Sequence, residues 1–202
     1  MTSGGPRLVL ASSSPRRADM LRRLGLDFEV RPPEVDESAR PGETAEVLVE
    51  RLAREKAAAV CRDGELAVAA DTVVVLDGEV LGKPVDDADA ARMLRGLAGR
   101  GHDVLTGVAV LAGGDGRLAT AVERTRVKFA PMSAQEIDWY VRSGEPRDKA
   151  GAYGIHGLAA LFVDAVDGNY ANVVGLPLPL LYRLARSLGH DLLALLAAAQ
   201  PR

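Results

Sequence analysis

Residues 66–84 read LAVAADTVVVLDGEVLGKP, and this stretch decides the fold class. Residues 66–76 are almost continuously apolar and rich in valine, which predicts a strand covered on both faces. The Asp77-Gly78 pair favours a tight turn, after which residues 79–82 return as the antiparallel partner. The pattern therefore predicts a hairpin within a buried sheet.

Strand-like and helix-like segments alternate along the rest of the chain. Extended segments are predicted at residues 7–11, 28–31, 102–111, 118–129, 159–166 and 172–174. Helices are predicted at residues 15–24 (with Ser14 as N-cap), 44–61, 87–97, 133–142 and 178–188, and LGHDLLALLAAA indicates a final helix. Hairpins beside helices indicate an α/β protein with a mixed sheet.

The composition is that of an ordinary globular protein, with 202 residues, 48% of them hydrophobic and 26% charged. We expect a single domain over residues 1–202, with residues 1–6 disordered. A net charge of -3 gives no general attraction to nucleic acid or to an anionic membrane. The chain shows no secretory h-region or membrane span, and its lone Cys61 excludes an intrachain disulfide, so a cytoplasmic location is expected.

Two charged residues violate the apolar pattern around them. Asp71 interrupts the buried strand, where an ionised carboxylate is costly unless it is paired or bound to a metal. The alternative is a strand break at residues 70–71, with the carboxylate capping a turn. Lys56 lies on the apolar stripe of the helix at 44–61, so it either snorkels past the core or projects into a cleft. Both residues are candidates for a functional site.

Other charged residues fall near this strand or in polar segments. Counting back from the hairpin turn pairs Thr72 with Lys83, which brings the lysine close to Asp71 but on the opposite face in an ideal register. Glu37 stands in the acidic stretch PPEVDES, although such runs are usually only solvated. Proximity of Lys83 to Asp71 therefore follows from the sequence, and direct contact does not.

Two segments are candidates for contact with an anionic ligand. In ASSSPRRADML, residues 11–21, a strand leads into serines and a helix N-terminus, which is a natural anion site. Arg16 and Arg17 stand in the first helical turn, where the dipole disfavours cations unless an anion is bound. The alternative is simple capping with two solvated arginines. The glycine-rich segment DKAGAYGIHG, residues 148–157, is either a turn-rich loop or one whose backbone approaches a ligand.

Taken together, these segments resemble the Maf family of nucleotide pyrophosphatases. The matching stretches, in order between residues 10 and 178, are LASSSPRR, VDES, RLAREKA, ADTVVVLDGEVLGKP, YVRSGEPRDKAGAYGIHG and VVGLPL. The resemblance implies a two-lobed α/β fold around an elongated, curved mixed sheet with a central cleft. It also implies a homodimer that hydrolyses nucleoside triphosphates to monophosphates and pyrophosphate with Mg²⁺ or Mn²⁺, removing unwanted or modified nucleotides.

The resemblance also assigns roles to individual residues. Asp71 matches the catalytic carboxylate and Glu37 a second acid, and we expect both to hold the metal. Lys56 and Lys83 match lysines of the cleft. Substrate contacts are expected from Ser12, Arg16, Thr72, Lys149 and His156.

The preferred base stays open at this stage. Arg16 and Thr72 match the branch of the family that acts on dTTP and UTP, but His156 stands where that branch usually carries glutamine. A neutral imidazole presents one donor and one acceptor, and a charged imidazole presents two donors, whereas an amide offers both a donor and an acceptor at any pH.

Two other functions compete with this interpretation. A non-catalytic nucleotide-binding regulator of cell division would keep Arg16 and the glycine-rich segment but would not need a carboxylate at Asp71. Nucleophilic catalysis by Cys61 with His102, His156 or His190 is the second alternative. Cys61 has no flanking motif of that chemistry, and small buried cysteines are common.

Overall fold

A computed structural model describes residues 5–199 of the chain. These residues contain seven strands: β1 (Arg7–Ala11), β2 (Glu29–Val30), β3 (Glu65–Leu76), β4 (Glu79–Leu81), β5 (Gly101–Ala112), β6 (Leu118–Phe129) and β7 (Val163–Asp167). They also contain seven α-helices: α1 (Pro15–Arg23), α2 (Ala45–Val60), α3 (Asp87–Leu97), α4 (Ala134–Arg142), α5 (Tyr170–Val174), α6 (Leu178–Ser187) and α7 (Leu192–Ala199). Residues 1–6 were predicted to be disordered, and residues 1–4 of this segment lie outside the described residues.

The strands form a mixed sheet with the order β2-β1-β3-β5-β6-β7, and β4 pairs with β3. Strand β1 runs parallel to both β2 and β3, whereas the β3–β4 and β6–β7 pairs are antiparallel. The predicted hairpin register is confirmed, since Leu76 pairs with Glu79 and Val75 with Val80. The predicted α/β class with a mixed sheet is therefore confirmed, and the predicted curvature and cleft stay predictions.

The contacts within the chain separate it into two compact units. The first unit comprises residues 1–71, 106–123 and 175–202, and the second comprises residues 72–105 and 124–174. Strands β3, β5 and β6 each begin in one unit and end in the other, which makes both units discontinuous in sequence.

The first unit has apolar clusters that fix β1, β3 and α2. Leu10, Leu21 and Leu66 are fully buried in one cluster, while Ala53 and Ala57 of α2 pack with Ala67 and its neighbours in another. In the parallel β1–β3 pair Ala11 lies opposite Ala69. The carboxyl ends of parallel strands meet at one edge of a sheet, so the segment after β1 and the residues after Ala69 lie at the same end.

The second unit has its own core, in which His102, Phe129 and Tyr153 meet edge to face. Leu94 of α3 and Tyr140 of α4 are also fully buried there. A close approach requires glycine at residue 151, because a Cβ atom there would lie 2.8 Å from a methyl group of Val74 and because its φ is +68°.

Two strand predictions are wrong. Residues 159–162, predicted as the start of a strand, lie in a 3₁₀ helix (Leu158–Phe162), and β7 begins only at Val163. Residues 172–174, also predicted as extended, lie in α5. The backbone N–H of Asn172 donates to the side chain of Asn169, and the Asn172 amide donates to the Val104 carbonyl and to Thr125 Oγ1. These contacts outweigh the β propensity of the two valines that follow.

Candidate active site

Lys56 lies at the centre of the candidate site in the first unit. Its ammonium nitrogen, Nζ, is 2.6 Å from Asp71 Oδ1 and 2.6 Å from Glu37 Oε1. The lysine is 6% exposed, as its place on the apolar stripe of α2 requires, whereas the Glu37 side chain is 53% exposed. The structure therefore shows a buried, paired lysine and not a snorkelling side chain, and projection into a cleft stays a prediction.

Asp71 stands inside a continuous strand. Strand β3 runs through it from Glu65 to Leu76, so the alternative of a strand break at residues 70–71 is wrong. The residue is 9% exposed, and the ion pair with Lys56 offsets the cost of burying its charge. Two carboxylates share one ammonium here, so the trio Glu37, Lys56 and Asp71 holds one more acidic than basic group.

The turn between β1 and α1 lies in the same unit. Ser12 is 4% exposed, and its Oγ accepts hydrogen bonds from the Ser14 backbone N–H at 3.1 Å and from Arg17 Nη1 at 3.3 Å. Ser14 occupies the N-cap position as predicted, but its side chain makes no capping hydrogen bond. The serine that organises the helix start is therefore Ser12.

Arg17 is a functional candidate that the sequence reasoning did not select. Its Nε donates to the Gly175 carbonyl at 2.7 Å, which holds the guanidinium against the turn at Ser12. Burial lowers the pKa of Arg17, while the charges of Asp71 and Glu37 act in the opposite direction. The sequence shows two adjacent arginines in the first turn of α1, and in the structure both are half-buried.

Four predicted site residues belong to the second unit. Lys83 is exposed, and the β3–β4 ladder ends at Leu81, so the pair that hairpin counting placed between Thr72 and Lys83 is not formed. Thr72 is half-buried and His156 is exposed. Lys149 Nζ donates to the Glu145 carbonyl and to Asp148 Oδ1, both at 2.7 Å.

The glycine-rich segment is held by side chains of its own unit. Tyr140 Oη accepts the backbone N–H of Gly154 at 3.1 Å and donates to Glu145 Oε1 at 2.8 Å. The other carboxylate oxygen of Glu145 accepts the Leu158 N–H at 2.9 Å. A Cβ atom at Gly157 would lie 2.3 Å from Glu145 Oε2, so a side chain there would displace the Glu145 carboxylate.

The acids of the first unit fit a divalent cation that is shared with a substrate. Among the described residues, no group of three or more His, Cys, Asp or Glu side chains could hold a metal by itself. Mg²⁺ is commonly bound by one or two carboxylates together with substrate phosphates and water. Asp71 and Glu37 converge on one point, the Lys56 ammonium, and supply that number of carboxylates.

Cys61 lacks the features of a nucleophile. It caps the C-terminal end of α2, its thiol donates to the Leu111 carbonyl at 3.5 Å, and burial raises its pKa. A raised pKa lowers the fraction of reactive thiolate at neutral pH. His102, one of its proposed partners, instead contacts the Tyr153 hydroxyl at 2.8 Å.

No helix in the described part of the chain reaches the length and apolar character needed to cross a membrane.

Comparison with known proteins gives consistent matches. The profile of a family described as "Maf-like protein" matches residues 7–188. The dTTP/UTP pyrophosphatase of Anaeromyxobacter sp. (strain Fw109-5) is 56% identical over 189 residues, covering 92% of this chain and 91% of that protein. Proteins of the same name from Symbiobacterium thermophilum and Hahella chejuensis are 51% and 50% identical, covering 92% and 88% of this chain and 96% and 92% of those proteins.

Among solved structures, the Staphylococcus aureus Ham1 protein is similar at 17% identity with a TM-score of 0.43, over 61% of this chain and 72% of that one.

Proposed function

Because the chain belongs to the Maf family, we propose that it hydrolyses nucleoside triphosphates to monophosphates and pyrophosphate. The relatives named dTTP/UTP pyrophosphatase favour pyrimidine nucleotides as its substrates. Modified pyrimidine nucleotides would suit a role in removing unwanted nucleotides. The enzyme would act in the cytoplasm as a homodimer.

The observation that carries this proposal is the contact of Lys56 with both Asp71 and Glu37. Cleavage of a triphosphate depends mainly on positioning and on neutralising charge. A buried ammonium between two acids provides a cation for phosphate oxygens and carboxylates for a metal within one constellation. A regulator that only binds nucleotides would have no need to bury Asp71, and this is why we favour the enzyme.

Asp71 and Glu37 would hold Mg²⁺ or Mn²⁺ in the proposed mechanism. A bound divalent cation supplies Lewis-acid chemistry, which neutralises phosphate charge and makes a coordinated water more acidic. Asp71 would orient the attacking water and accept its proton. The water oxygen then forms a bond to one phosphorus of the α–β bridge, the bond between that phosphorus and the bridging oxygen breaks, and the bridging oxygen leaves with the other phosphorus, so that monophosphate and pyrophosphate separate.

Cationic and N–H groups of this chain would bind the phosphates. Lys56 would turn from its carboxylates toward phosphate oxygens as substrate enters, and Arg17 would offer its guanidinium beside Ser12. The N-terminal N–H groups of α1 add the favourable end of a helix dipole. Lys83 and Lys149 would offset charge on the phosphates and on the leaving pyrophosphate.

Arg16, Thr72 and His156 would contact the base end of the substrate. The imidazole of His156 can donate to a pyrimidine carbonyl and, while neutral, accept from a ring N–H, as the usual glutamine does. The exposed position of His156 leaves its ring accessible to a ligand. We propose that uracil and thymine remain the preferred bases.

The test is pyrophosphate release from a panel of canonical and modified nucleoside triphosphates, with Mg²⁺, with Mn²⁺ and with EDTA. We expect Asp71→Asn to lower turnover by at least about 100-fold, because a positioned acid–base group contributes that much. Asp63→Asn, an exposed aspartate beyond α2, is the matched control and should keep full turnover. A folded wild type that releases no pyrophosphate from any nucleotide would favour the binding regulator instead.

A further inference from the structure

The segment that carries Glu37 has no regular secondary structure. Residues 31–40 form neither helix nor strand, and residues 36–40 are exposed. A segment of this kind samples many conformations unless side chains fix it, at a cost of about 1–2 kcal/mol for each residue ordered. Glu37 nevertheless lies 2.6 Å from Lys56, so other contacts must hold the segment near α2.

Arg51 of α2 provides such contacts, one and a half turns before Lys56. Its Nη2 donates to the Ser38 carbonyl at 3.0 Å, directly after Glu37 in the chain. Its Nε and Nη2 also bind the two carboxylate oxygens of Glu43 at 2.6 and 2.8 Å. The Nη1 atom binds Glu55 Oε2 at 3.0 Å. All three nitrogens of the guanidinium are therefore engaged.

Glu43 extends this contact to the far end of the segment. Its Oε2 accepts the backbone N–H of Arg40 at 3.0 Å, so both Ser38 and Arg40 are tied to the Arg51–Glu43 pair. The pair is little exposed, with 11% of the Arg51 side chain and 4% of the Glu43 side chain accessible. The Arg51 hydrogen bond, followed by the Arg40 N–H, lowers the pKa of Glu43 to about 2, so the pair is charged at neutral pH.

We propose that Arg51 is a positioning residue, which sets the backbone at Ser38 so that the Glu37 carboxylate meets the Lys56 ammonium that also binds Asp71. Arg51 contacts neither of these acids in the active-site trio and acts through the segment. The expected effect of Arg51 on catalysis rests on the proposed function, whereas its expected effect on the backbone at Ser38 does not. This proposal assigns a role in the site to Arg51, which the sequence pattern had placed only within a helix.

The chemistry of this position requires arginine. A guanidinium is a planar fork that binds a carboxylate with two nitrogens while other N–H groups reach further acceptors. A lysine keeps the positive charge, but its three N–H donors lie on one nitrogen and cannot reproduce the fork that binds both Glu43 oxygens while reaching Glu55 and Ser38. Arg51→Lys therefore loosens the segment without removing a charge from the helix.

The experiment measures pyrophosphate release against Mg²⁺ concentration for wild type and Arg51→Lys. We expect the half-saturating Mg²⁺ concentration to rise and kcat to fall, each by about tenfold, the typical effect of losing a residue that orients a metal ligand. Arg54→Lys, an exposed position on the same helix, is the matched control and should match the wild type. Unchanged Mg²⁺ dependence and kcat in a folded Arg51→Lys protein would overturn the proposal.

A second measurement does not depend on activity. Backbone hydrogen exchange should become faster at Ser38 and Arg40 in Arg51→Lys, and also in Glu43→Gln, while the amides of α2 keep their wild-type protection. Uniform acceleration across α2 would mean a structural role only and would overturn the proposal. If the wild type releases no pyrophosphate, the proposed function fails, yet the exchange result still decides whether Arg51 holds the segment.

Discussion

At the scale of single residues, the candidate site depends on one ammonium that serves two carboxylates. Lys56 is almost fully buried, and so is Asp71, whereas half of the Glu37 side chain is open to solvent. The three residues therefore contribute unequally to stability. The Lys56–Asp71 pair contributes most to stability, because neither of these buried charges can be hydrated if its partner is removed.

Replacing Lys56 tests this inequality. We expect Lys56→Met to lower the free energy of unfolding by about 3 kcal/mol, because it leaves the Asp71 carboxylate buried without its cation. Adding Asp71→Asn should recover part of that loss, since the second change removes the uncompensated charge. Urea denaturation of the wild type, the two single variants and the double variant measures the coupling between Lys56 and Asp71. Arg54→Met, an exposed neighbour, should change stability by less than about 0.5 kcal/mol, and equal losses at both positions would contradict the argument.

The individual residues that the sequence identified are those that break a local pattern. Asp71 and Lys56 were recognisable because each places a charge on an apolar face, and the structure brings them together. Arg51 was not recognisable in this way, and Arg17 was noted only together with Arg16, as a cation in the first turn of α1. Arginines in a polar helix turn are ordinary, and their roles arise from distant partners, Gly175 for Arg17 and Ser38 for Arg51.

At the scale of elements, the glycine-rich segment depends on helix α4. Tyr140 is fully buried, and its hydroxyl joins Gly154 to Glu145. Burial, and secondly the Glu145 carboxylate, raise the pKa of Tyr140, so the hydroxyl stays protonated and donates at neutral pH.

Removing that hydroxyl should affect both stability and binding. We expect Tyr140→Phe to lower the free energy of unfolding by about 2 kcal/mol, because the Gly154 N–H loses its acceptor in a buried position. The KM for nucleotide should rise more than kcat falls, since Lys149 and His156 flank the loosened backbone. Urea denaturation and steady-state kinetics measure the two effects. Tyr170→Phe, at an exposed tyrosine of α5, should show neither effect, and an equal effect there would contradict the argument.

Most elements were predictable because their local signals agree. The hairpin of β3 and β4 follows from the apolar run and the Asp77-Gly78 turn, and the register observed is the one counted from that turn. Helix α5 was not predictable, because the contact of Asn172 with Val104 and Thr125 joins residues far apart in sequence. Local propensity cannot report a hydrogen bond of that kind.

At the scale of the whole molecule, the chain passes repeatedly between two compact units. The boundary in β3 falls between Asp71 and Thr72, two residues to which the sequence assigned different roles. Nothing in the local pattern of that strand marks the boundary, because apolar residues continue on both sides of it. Each unit also carries its own buried ionisable groups, which makes the stability of the molecule depend on pH.

His102 governs the mildly acidic part of that dependence. Burial lowers its pKa from 6.5 to about 4, with Asp103 opposing the shift and Arg126 adding to it. Above pH 6.5 the imidazole is neutral in both the folded and the unfolded chain, so it has no effect on the balance. Between pH 6.5 and about 4 only the unfolded chain binds the proton, and stability is therefore lost as the pH falls.

We expect the free energy of unfolding to fall by as much as about 3 kcal/mol between pH 6.5 and pH 4 on account of His102. His102→Phe removes the titrating group, at some cost from the lost contact with Tyr153, and should abolish this part of the pH dependence. Urea denaturation at a series of pH values measures the slope, which is separate from the absolute stability of the variant. His156→Gln, at an exposed histidine, should retain the wild-type slope. If His102→Phe loses stability with the same slope as the wild type, the proton uptake belongs to other groups and the buried imidazole is not its source.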